Sequence, residues 1–232
     1  MVGEVGEEIG GRCLGSVAQV TTGSIKDAYL DAARSALRLL QEPAVAAAWG
    51  RSSALAEFTV GGLAAHLAHQ VLAVPATLDA PADDAPIALL DHYERVTWRG
   101  AGPLAEVNVG IRAHADQLAA EGGPALAERL AAAIDELTVR LPGEPGDRLV
   151  KMAAGPWTLG LDDYLITRMM EIAVHCDDLA VSVGAATPDL PANVLAPVLT
   201  LLTGIAVRRH GQPAVLRALS RAERAPAAIN AL

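Results

Sequence analysis

The chain has 232 residues, is 52% hydrophobic and carries a formal net charge of -9 at pH 7, with an isoelectric point near 5.1. It is long enough for one large domain with a full core. It lacks the basic stripe that a nucleic-acid partner requires to neutralise phosphates, and three Trp, three Tyr and one Phe offer little surface for stacking bases.

The first 23 residues are acidic at Glu4, Glu7 and Glu8, rich in Gly and without periodicity. They read as a flexible tail rather than a signal peptide, since no basic segment precedes a long apolar one. Ser24 and Asp27 resemble a capping box with Asp in place of Glu, opening a helix from Ile25 to about Leu40 with Tyr29, Ala32, Ala36, Leu37 and Leu40 on one face. Pro43 should end it. Residues 44–58 read as a short helix or loop around Trp49. Thr59 is a good N-cap for a second long helix that ends or kinks near Pro75. Pro81 and Pro86 mark a loop, and Ile87 to Val96 a short helix. Two helices follow over 103–121 and 124–141, separated by Gly122 and Gly123, and Leu149 to Met152 reads as a short strand. A long helix spans Leu161 to Val183, ended by Gly184; Pro188 and Pro191 form a linker. The stretch Val194 to Val207, within a helix from Asn193 to His210, reads as a core helix too short to cross a bilayer. Gly211 caps it, and shorter helical pieces follow around Ala214 to Ser220 and near the C-terminus. Long helices joined by loops make a four-helix bundle with peripheral helices the economical architecture. The two cysteines, Cys13 and Cys176, make no disulfide framework, and the chain reads as cytoplasmic.

Chemistry concentrates in Arg168-Met-Met-Glu171-Ile-Ala-Val-His175-Cys-Asp-Asp178-Leu. At about 100° per residue, Arg168, Glu171, His175 and Asp178 fall within an arc of roughly 80°. Leu165, Ile166, Met169, Met170, Ile172, Val174, Leu179 and Val181 occupy the rest, with Asp177 the main exception. A helix apolar nearly all round is buried, and buried charge must be paired or bound to metal. A carboxylate and an imidazole four residues apart can grip one ion, and a catalytic zinc site takes three protein ligands with one position open. The helix after Thr59 offers the third: His66, His69 and Gln70 share a narrow polar stripe between Leu63, Ala64, Leu67, Ala68, Val71 and Leu72. His66 is the first choice and His69 the reserve. His92 and His114 lie on weaker amphipathic segments near charged neighbours, and His210 suits a helix C-terminus. Cys176 points roughly 100° away from His175 and reads as a buried core thiol. Trp157 either walls a pocket mouth or plugs the bundle end.

Thr59 to His66-Leu67, followed by Arg168-x-x-Glu171-x-x-x-His175-x-x-Asp178-Leu179, resembles the mycothiol-dependent maleylpyruvate isomerase family. The similarity covers roughly residues 24–185. It implies an all-α, DinB-like four-helix bundle as the metal-binding unit, with residues 186–232 as a helical C-terminal extension of the kind common in actinobacterial members. It also implies that His66, Glu171 and His175 are metal ligands. Arg168 and Asp178 match the surrounding motif, as groups that orient the ligands or pair with each other. The implied cofactors are a divalent metal, zinc first, and mycothiol; the partners are a small-molecule substrate and that thiol, with neither nucleic acid nor membrane, in a monomer or homodimer. The isomerase that names the family carries a larger C-terminal domain, so S-transfer is favoured slightly over isomerisation, with hydrolysis by metal-bound water a third variant. The alternative from another class is a non-catalytic metal-binding or regulatory bundle protein.

Overall fold

The computed structural model describes residues 24–82 and 84–232; the tail assigned to residues 1–23, with Cys13, lies outside the described residues. The helices are α1 (Ile25–Leu40), α2 (Pro43–Ala47), α3 (Val60–Leu72), α4 (Val74–Asp79), α5 (Leu89–Arg95), α6 (Glu106–Ala119), α7 (Gly123–Arg140), α8 (Leu161–Val183), α9 (Ala192–His210) and α10 (Gln212–Ser220). A two-stranded antiparallel hairpin, β1 (Leu149–Lys151) and β2 (Thr158–Gly160), pairs Val150 with Leu159 just before α8. The fold is all-α, as expected.

Four helices form the bundle. α8 packs on α1 and α3, and α7 packs on the same two from the opposite side, closing a ring. Tyr29, Leu63, Leu67, Leu126, Leu130, Leu137 and Leu165 are fully buried between them. α6 covers α3 from outside, while α9 lies along α8 and α1.

Local chemistry accounts for three helix ends around the bundle. Ser24 Oγ accepts from the Lys26 backbone N–H at 3.1 Å, so the cap forms on the second helical residue rather than on Asp27. Thr59 Oγ1 accepts from Gly62 N at 2.9 Å. Gly184 ends α8 in the left-handed conformation (φ 69°), where a side chain would be strained.

Several expectations need correction. α1 ends at Leu40 with Gln41 as its cap, and Pro43 starts α2 instead of terminating α1, because its fixed φ suits a first helical turn. The second long helix is two: α3 stops at Leu72 and α4 restarts at Val74 with Pro75 in its first turn, since a proline ring clashes with the carbonyl four residues back. Gly123 belongs to α7, and Gly122 alone makes the break at φ 84°. β2 was not anticipated; three residues are too few to show a period. Val181, placed among the buried positions of α8, is 61% exposed.

α9 differs most. It runs 19 residues, and by length and composition it is apolar enough to cross a membrane. In this fold it is a half-covered outer helix, not a core helix: Val194, Val198, Leu201 and Ile205 are buried, whereas Leu195, Leu199 and Val207 are exposed.

Candidate metal centre

α3 and α8 lie side by side and bring their polar stripes face to face. His66 on α3 and Glu171 and His175 on α8 each offer a ligand atom, and these atoms all lie within 4.8 Å of one another. The His66 and His175 rings meet edge to face with centroids 4.7 Å apart. Phe58 covers His66 from the other side at 5.7 Å. Bonds of about 2.0–2.1 Å to zinc place tetrahedral ligands roughly 3.3 Å apart, so a small closure of side chains would suffice.

His175 is the pivot. Its Nε2 lies 3.2 Å from Glu171 Oε2 and its Nδ1 3.0 Å from Asp178 Oδ2. Burial favours the neutral ring, but the hydrogen bonds to Asp178 and Glu171 win and raise its pKa to about 9. Burial pushes the Glu171 carboxyl up, yet His175, Arg168 and His66 together hold it near 2. Burial, reinforced by the His175 charge, lowers His66 to about 3, so that ring is neutral at pH 7 and ready to coordinate. His175 is therefore an imidazolium between the Glu171 and Asp178 carboxylates at pH 7. Asp178 fixes the His175 ring through Nδ1 and leaves Nε2 facing Glu171, the carboxylate–histidine arrangement found behind metal ligands.

The other expected residues divide. Asp178 orients the His175 ring. Arg168 does not pair with Asp178, since ten residues separate them by about 15 Å along the helix axis. Its Nη1 donates instead to Gln70 Oε1 at 2.6 Å, and Gln70 Nε2 donates to the His66 carbonyl at 3.0 Å. His69 is not brought to the cluster: its Nδ1 sits 3.3 Å from His114 Nε2 on α6. Cys176 is a buried thiol pushed up to about 12 by desolvation.

Sequence reasoning misjudged His92. Assigned to a weakly amphipathic segment, it is only 2% exposed. The indole Nε1 of Trp157, just before β2, donates to His92 Nδ1 at 3.0 Å. An indole N–H only donates, so His92 Nδ1 must be bare and, in the neutral ring, Nε2 carries the proton. Burial, helped by the Arg168 charge, lowers its pKa to about 4, and Glu171 acts on it in the opposite direction. Trp157 thus holds this imidazole. The sequence carried little signal for this: His92-Tyr93 stand between Asp91 and Glu94, although both are buried.

Two imidazoles, one of them backed by the Asp178 carboxylate, and one carboxylate ligand atom suit a borderline divalent ion, zinc above all. A family model described as the mycothiol maleylpyruvate isomerase N-terminal domain matches residues 30–180, more than half of the chain. No curated protein and no solved structure matches it.

Proposed function

The chain belongs to the mycothiol maleylpyruvate isomerase N-terminal domain family, and from that premise we propose that it is a metal-dependent enzyme using mycothiol. The thiol attacks a small electrophile, by S-transfer or by addition and release as in isomerisation. The observation that carries this reading is the convergence of His66, Glu171 and His175 from two helices on one point. A divalent metal bound there supplies Lewis acidity that keeps a coordinated thiol deprotonated at neutral pH.

The chain's own residues do the rest. His66 presents a neutral nitrogen from α3. His175, kept in register by Asp178, would give up its proton to hold a metal. Glu171 would supply the negative charge that offsets part of the cation's. Three protein ligands would leave room for a thiol sulfur. S-transfer is favoured over isomerisation and hydrolysis because it demands least beyond a bound thiolate. Residues 24–185 are taken as the metal-binding unit and residues 186–232 as its helical extension.

Calorimetric titration of the zinc-loaded chain with mycothiol tests the proposal. The expected result is saturable binding at one site per chain, abolished in His175→Ala. A zinc-loaded chain that ignores mycothiol would leave a metal-binding bundle without thiol chemistry and would sink the enzyme reading.

A further inference from the structure

His69 and His114 stand apart from the cluster and face each other where α6 packs on α3. His69 Nδ1 lies 3.3 Å from His114 Nε2, and the rings meet edge to face with centroids 4.7 Å apart. His69 is half-buried in the last turn of α3 and His114 is exposed on α6, so solvent reaches the pair. The remaining two histidines are engaged differently. His92 Nδ1 accepts from the Trp157 indole, and His210 Nε2 faces the Asn230 carbonyl at 2.9 Å.

As a hydrogen bond the contact is long, since an N–H donor ordinarily closes to about 2.7–3.2 Å on oxygen. Two bonds of about 2.0–2.1 Å from a tetrahedral zinc span roughly 3.3 Å between their nitrogens, the separation the fold already sets. Burial, reinforced by His114 and Arg168, lowers His69 to about 4, so its ring is neutral at pH 7 and offers a lone pair. It sits at the carbonyl end of α3, which favours a cation, yet it brings no charge of its own. A bound ion would supply one.

We propose that His69 and His114 form a second metal site, separate from the His66–Glu171–His175 cluster, that takes a borderline divalent cation, zinc foremost, and ties α6 to the helix carrying His66. Neutral imidazoles suit such ions, whereas calcium and magnesium take oxygen ligands. Among the described residues, no third His, Cys, Asp or Glu gathers with the pair, so water completes the coordination. Held by two protein ligands instead of three, this ion is the weaker of the two and leaves when excess metal is removed. The site stands on its own geometry and not on the thiol chemistry proposed above.

The test is a zinc titration of the full chain, followed by calorimetry and by nitrogen-edited NMR of the histidine rings. After the first equivalent, the wild type should bind a second, weaker one that shifts His69 Nδ1 and His114 Nε2. His114→Ala and His69→Ala should each weaken that second event roughly a hundredfold, the loss expected when a two-point grip becomes one, and leave the first event unchanged. Glu171→Gln should remove the first event and keep the second. No second event in the wild type, or one that survives in His114→Ala, overturns the assignment and leaves a hydrogen-bonded pair. If the three-residue cluster binds no zinc while the His69–His114 event persists, the enzyme reading falls and this site stands.

Discussion

Three side chains near the centre owe their state to one neighbour each. Asp178 decides which nitrogen His175 offers, Gln70 decides where Arg168 points, and Trp157 decides the tautomer of His92. The last can be checked directly. With Nδ1 accepting from Trp157, His92 should show its proton on Nε2 in nitrogen-edited NMR spectra. Its neighbours are Trp157, Tyr93, Arg168 and Glu171, and desolvation dominates them. Its folded pKa, about 4, lies below the ordinary value of 6.5. The stability it contributes is therefore fully present above pH 6.5 and is lost as the pH falls through about 4. We expect no titration of its ring in the folded chain between about pH 5 and 8, and a urea midpoint that falls as the pH drops from 6.5 toward about 4. A proton on Nδ1, or a midpoint near 6.5, would contradict the Trp157–His92 arrangement.

At the scale of elements, the site depends on α3 and α8 lying close together, and α3 is positioned in part by Trp49. A Cβ added at Gly61 would fall 2.6 Å from the Trp49 indole, and the same ring meets Gly123 at the start of α7. Gly61→Ala should cost about 1–3 kcal/mol by overpacking, read as a lower urea midpoint with helix content retained; an unchanged midpoint would mean that the indole moves freely. The two helices that carry the proposed ligands were legible in sequence for physical reasons. Each is long, apolar round most of its circumference and bounded by a strong cap, Thr59 at one start and Gly184 at the other end. What was not legible came from contacts made across the chain. β2 exists because it pairs with β1, and His92 is buried because Trp157 reaches it across 65 positions of sequence. Gln70 was read only as a member of the narrow polar stripe with His66 and His69, and its partner Arg168 appears only in the fold. The choice between His66 and His69 needed the neighbour helices, since one faces α8 and the other α6.

For the whole molecule, the four-helix ring sets one constraint above the others: the proposed ligands come from α3 and α8, far apart in the chain and adjacent in the bundle. A cation held there would act as a cross-link that exists only in the folded state, adding about 2.7 kcal/mol at a hundredfold excess over its dissociation constant. The proposed function depends on that ion being bound by those residues. The direct measurement is elemental analysis of the purified chain after exposure to zinc and removal of excess, for the wild type, His66→Ala, Glu171→Gln, His175→Ala and His69→Ala, each first shown by circular dichroism to be helical. The expected result is one metal per chain in the wild type and in His69→Ala, and little or none in the other three. Equal metal content in all five, or loss confined to His69→Ala, would contradict the site.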